Sequence, residues 1–136
     1  MKPVATAAFA AAVLTLTQPG SSDANASRHN IRVNPVSDSI FEVIPGTGNG
    51  YLFWCGAADY AHRVIGVPWN ARLHISRGLG PSETTMRRSA VQFTLDANQA
   101  AAPPAGGYGS VNSLQAGDTM SVQRAFDYCF VPFGRP

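Results

Sequence analysis

Lysine is almost missing from this chain, charge of either sign is scarce, and cysteine occurs twice. Lys2 is the one lysine among ten basic residues, these face eight acidic ones, and charged side chains make up 13% of 136 residues. A net charge of +2 without any basic run leaves no electrostatic footprint for nucleic acid. No C-x-x-C or H-E-x-x-H spacing occurs, so the common zinc patterns are excluded. No internal repeat and no alternating βαβ rhythm is present, which removes the usual frame of a dinucleotide-binding fold. The stretch from Val4 to Leu16 is uncharged and mostly apolar, yet it falls short of the about 20 residues that a transmembrane helix needs. Nothing downstream reads as a membrane span.

That short apolar stretch has the form of an export leader. Lys2 supplies the positive start, polar residues follow the run, and Ala24-Asn25-Ala26 fits the small-x-small rule for cleavage. The expectation is a signal peptide over 1–26 and a mature single domain over 27–136, in the periplasm or outside the cell. No cysteine lies near the cut, so a lipid anchor is not expected. An exported domain with two cysteines calls for one disulfide, Cys55 to Cys129. Closing a loop of that length restricts the unfolded chain by about 4 kcal/mol on the chain-entropy account.

The mature region alternates in period. Ile31–Val33 and Ile40–Ile44 read as strands, and Pro45 to Gly50 breaks the second. From Tyr51 to Ile65 the apolar residues Trp54, Ala57, Ala58, Ala61, Val64 and Ile65 fall at helical spacing, with Gly66 and Pro68 as stop signals. Small alanines on the inward face predict a helix lying close to its neighbour, with Trp54 and Ile65 filling the ends. Arg72–Ser76 and Ala90–Asp96 alternate again as strands, joined by a long polar connection from Arg77 to Ser89. Residues 97–117, rich in Ala, Pro and Gly, read as a flexible excursion. Thr119 to Val131 reads as a long final strand, although Cys129 there has the opposite parity from Phe126, Tyr128 and Phe130. Phe130 and Phe133 at the end of the chain lock the tail on the core or face a partner, and adjacent Cys129 favours locking. The pattern predicts an α+β fold, a largely antiparallel sheet of about five strands with one main helix on a face.

Three constellations have the residue types of a site. Gly46-Thr47-Gly48-Asn49-Gly50 precedes the helix, but Tyr51 stands where a dinucleotide motif requires its third glycine. Cys55, Asp59 and His62 form one helical stripe, the grammar of a thiol nucleophile with its base, and Asp59 with His62 also has metal-ligand spacing. A small thiol- or metal-dependent hydrolase is therefore the enzyme alternative, although a bonded Cys55 and a missing third group oppose it. The connection Arg77 to Ser89 carries Arg77, Ser82, Thr84, Thr85, Arg87 and Arg88, groups suited to a carboxylate, phosphate or sulfated sugar. A solvated loop whose arginines pair with Glu83 and nearby carbonyls is the plainer reading of the same residues.

Phe53-Trp54-Cys55-Gly56-Ala57-Ala58-Asp59-Tyr60-Ala61 and Gly80-Pro81-Ser82-Glu83-Thr84-Thr85 resemble segments of small uncharacterised exported proteins of alphaproteobacteria. That resemblance implies export and no activity. The leading expectation is a non-enzymatic binding or structural module of the cell envelope, with no cofactor, no resident metal and no nucleic-acid partner. Its partner would be an envelope protein or an anionic ligand. An inhibitor-like role against an envelope enzyme is a further alternative.

Overall fold

The computed structural model describes residues 28–47 and 49–131. The expected leader, its cleavage point and the C-terminal Phe133 lie outside the described residues. Five strands among the described residues form one antiparallel sheet: β1 (Arg32–Pro35), β2 (Ile40–Ile44), β3 (Arg72–Gly80), β4 (Ala90–Thr94) and β5 (Thr119–Ser121). Their order across the sheet is β1-β2-β4-β3-β5. The register sets Phe41 opposite Phe93 and Val43 opposite Val91, so one parity of the central strands makes an apolar face. The α+β architecture expected from the sequence is the architecture found.

The main helix, α1 (Gly50–Asp59), starts where Asn49 Oδ1 accepts from the Tyr51 amide at 2.8 Å, satisfying one donor of the first turn. It continues as a π-helical stretch, Tyr60–Ile65, and stops at Gly66, whose φ of 91° is left-handed. The amides of Gly66 and Val67 both reach the Ala61 carbonyl, at 2.9 and 3.1 Å, which closes the helix end before Pro68.

Every residue from Leu52 to Asp59 is buried, because α1 lies between two layers. One side packs on the sheet so closely that a Cβ on Gly56 would stand 2.7 Å from Ile31 Cγ2 and 2.8 Å from Val43 Cγ1. The other side meets a second helix, α2 (Val122–Asp127), and the 3₁₀ turn Tyr128–Phe130. Cys55 is bonded there to Cys129, with 4.9 Å between their Cα atoms. His29 Nε2 donates to the Cys129 carbonyl at 2.9 Å, so the start of the described chain is held to its end.

Several sequence expectations are corrected. The long strand Thr119 to Val131 is a three-residue strand followed by helix. Ser121 Oγ caps that helix by accepting from Arg124 N at 3.1 Å, and Val122, Ala125 and Cys129 are its buried positions. Those residues lie at helical spacing (i, i+3, i+7), which removes the parity conflict at Cys129. Ile65, expected to fill a helix end, is 48% exposed, while Trp54 is fully buried. Strand β3 runs on to Gly80 through register shifts after Ile75 and after Arg77, so the long connection is shorter than expected. The excursion over 97–117 contributes Leu114 to the core, and its Asn112 Oδ1 accepts from Gly50 N at 2.9 Å. Among the described residues no helix is long and apolar enough to cross a membrane.

Candidate functional site

The β3–β4 connection folds over the outer face of the sheet at Glu42 and Gln92, and the covering is organised around Glu42. Its strand places Phe41 and Val43 toward α1, so Glu42 points the other way, yet it is fully buried. Ser82 Oγ donates to Glu42 Oε2 at 2.5 Å, Glu83 N to Oε1 at 3.0 Å and Thr84 N to Oε2 at 2.8 Å. The Thr84 hydroxyl donates to Oε2 as well, and Gln92 Nε2 reaches Oε1 at 3.4 Å. Burial alone would raise this carboxyl, but the hydroxyl and amide donors outweigh it and hold the pKa at about 2. Glu42 is therefore an internal anion, and the loop is wrapped around it.

Further bonds stiffen the wrap. Thr85 N and Oγ1 donate to Ser82 Oγ at 2.9 and 2.8 Å, Ser82 N donates to the Arg87 carbonyl at 3.0 Å, and Asn34 Nδ2 on β1 donates to Thr84 Oγ1 at 2.8 Å. Arg77 clamps the neck of the loop. Its guanidinium donates to the carbonyls of Pro81 at 2.7 Å, Ala90 at 3.1 Å and Gly78 at 3.3 Å, and lies 3.8 Å from Glu83 Oε2.

The six loop residues picked out from sequence thus divide. Ser82, Thr84 and Thr85 spend their polar groups on Glu42 and on one another, and Arg77 spends its own on the strand ends. Arg87 and Arg88 are exposed. Among the described residues neither guanidinium makes a hydrogen bond or an ion pair. Beside Arg87 opens a cavity of about 480 Å³ lined by Asn30, Arg32, Ile44, Thr85, Met86 and Arg87 among others. Met86 stands at its rim, 97% exposed.

Sequence reading missed Glu42, Arg32 and Met86. The signal for Glu42 was a lone carboxylate within Ile40-Phe41-Glu42-Val43-Ile44, where apolar residues of both parities mark a strand covered on both faces. Arg32 carried no local signal, since only the pairing of β1 with Ile44 on β2 brings it beside the loop.

The Cys55–Asp59–His62 stripe is dispersed by its partners. Cys55 Sγ is in the disulfide, so no thiol is present there to act as a nucleophile. Asp59 accepts from Arg63 Nη2 at 3.0 Å and Nε at 3.2 Å. His62 Nδ1 donates to the Val67 carbonyl at 3.0 Å, and its ring stacks on Trp69 with 3.6 Å between centroids. Among the described residues no three His, Cys, Asp or Glu side chains gather as a metal-binding group. At the start of α1 the amides of Gly50 and Tyr51 donate to Asn112 Oδ1 and Asn49 Oδ1.

A second opening, of about 410 Å³, lies on the opposite side of the β1–β2 hairpin. Phe41, Tyr60, Ile65 and Leu95 form apolar walls, and Asp38 and Asp96 stand at its edge. Burial pushes the Tyr60 hydroxyl pKa upward. The chain matches no protein-family model, no curated protein and no solved structure.

Proposed function

We propose that this chain is an exported, non-enzymatic binding module of the cell envelope, and that the β3–β4 loop is its recognition element. The observation that carries this reading is the contrast within the loop. One set of side chains is consumed in anchoring it to Glu42, and another, Met86, Arg87 and Arg88, is held out to solvent beside Arg32. An irregular loop lying on a sheet has no need of a buried carboxylate with five donors unless its shape matters. Fixing it in advance lowers the ordering entropy that a partner must overcome. Arginines at the rim suit an anionic group, because guanidinium forks match carboxylates and phosphates. The exposed methionine adds an adaptable apolar contact. Export is supported by the leader-like N-terminal sequence and by the disulfide, which is at home in an oxidising compartment.

Immobilised polyglutamate is a suitable probe of the anionic preference. R87A/R88A should elute at clearly lower salt than wild type. R72A/R124A, which loses the same charge from other places, should elute close to wild type. Equal shifts in the two variants would mean that net charge alone governs retention and that the loop is not a recognition element.

A further inference from the structure

We infer that the partner of the loop is a second copy of this chain, docked head to tail, with Met86 of one molecule seated in the Phe41–Tyr60–Leu95 groove of the next. The inference rests on the reading of the β3–β4 loop as the recognition element and names what it recognises.

The two surfaces are complementary in polarity and charge. The loop presents an almost fully exposed methionine followed by Arg87 and Arg88, with Arg32 nearby. The groove is apolar along Phe41, Tyr60, Ile65 and Leu95, and carries Asp38 and Asp96 at its edge. Ile65 is 48% exposed there, an apolar surface that is left in water by the single molecule. An unbranched thioether adapts readily to an irregular apolar cleft and packs well on aromatic rings. Arg87 and Arg88, which follow it in the chain, would then meet Asp38 and the Asp96 oxygen not taken by the Asn98 amide, and opposite charges at a rim steer association and set register.

Placement makes the contact heterologous. The loop opening contains Arg32 and Ile44, which pair with one another at one end of the β1–β2 hairpin. The groove contains Pro35 and Phe41, the pair at the other end. The knob and the socket are thus different surfaces at opposite ends of the hairpin, and in the proposed arrangement each copy offers a knob to one neighbour and a socket to another. Such contacts extend into chains or close into rings. A single loop in a single groove is a small interface, so association is expected to be concentration-dependent, over roughly 10 µM to 1 mM.

The experiment is sedimentation of the full-length exported protein over that concentration range. Wild type should show a rising weight-average mass, and the rise should weaken as salt is added. M86E spoils the knob and leaves the groove, while D38R/I65R spoils the groove at two exposed positions and leaves the knob. Each variant alone should stay monomeric with its thermal midpoint near that of wild type. Mixed in equal amounts, they should form a one-to-one dimer that grows no further, since each supplies the surface the other lacks. Wild type that stays monomeric throughout, or a mixture that stays monomeric, overturns the inference. So does a wild-type assembly that stops at two copies. If self-association fails while polyglutamate retention still depends on Arg87 and Arg88, the loop remains a recognition element for another partner.

Discussion

At the scale of a residue, Glu42 connects fold and candidate function. A carboxylate without exposure is tolerated because its oxygens collect hydroxyl and amide donors from Ser82, Glu83 and Thr84. Its pKa is lowered from an ordinary 4.5 to about 2 in the folded chain, which corresponds to roughly 3 kcal/mol of preference for the ionised form. The folded value is the lower one, so this stabilisation is present above pH 4.5 and is lost as pH falls through about 2. Glu42→Gln replaces one acceptor oxygen with a donor that faces other donors. It should lower stability at pH 7 by about 2–4 kcal/mol in urea unfolding. The gap between the two proteins should close as pH falls from 4.5 toward 2. A variant as stable as wild type at pH 7 would mean that the loop does not depend on the carboxylate. Arg77 differs from Arg87 and Arg88 in the same way: its donors hold carbonyls at the neck, so it is part of the loop's frame.

At the scale of an element, α1 is set by how closely it approaches the sheet. Alanine is a better helix former than glycine by about 1 kcal/mol, and in isolation Gly56→Ala would strengthen the helix. Packed as it is, the new methyl would meet the methyl carbons Ile31 Cγ2 and Val43 Cγ1 inside ordinary contact distance. Overpacking of that kind costs about 1–3 kcal/mol, so the substitution should lower the thermal midpoint by several degrees. Gly46→Ala is the control, since a Cβ there meets nothing within 4 Å, and its midpoint should stay near that of wild type. The C-terminal segment teaches a related lesson. Val122, Phe126, Tyr128 and Phe130 also fit an alternating strand, and short apolar runs do not separate the two periods by themselves. Here the cap at Ser121 and burial of Ala125 against α1 decide for helix.

At the scale of the whole molecule, the disulfide joins the two helical layers and the hydrogen bond from His29 brings the start of the described chain to the same point. Cys55 and Cys129 are 74 residues apart in sequence. The bond should therefore contribute about 4 kcal/mol by restricting the unfolded chain. Unfolding of C55A/C129A, or of reduced protein, should move to a lower urea midpoint by an amount of that order. Little change would mean that packing of α1 against α2 supplies the stability by itself. The two openings also belong to this scale, because each is assembled from elements distant in sequence. β1, β2 and the β3–β4 loop build one, and the β1–β2 turn, the π-helical stretch and the end of β4 build the other.

The α+β class, the presence of the first four strands, the main helix with its glycine stop and the cysteine pairing were legible in the sequence. Each of these depends on local period, local breakers or simple counting. The segment from Ser82 to Arg88 also stood out in the sequence, as polar groups in a connection longer than a hairpin requires. Which of those groups remain available to a partner was not. That outcome depends on Glu42, 40 residues before Ser82 in the chain, reaching the loop from the outer face of β2. A carboxylate in a strand has the same local sequence whether it points to water or under a loop. Only strand order and register bring it beneath Ser82 and Thr84, consuming their donors and leaving Met86, Arg87 and Arg88 at the surface.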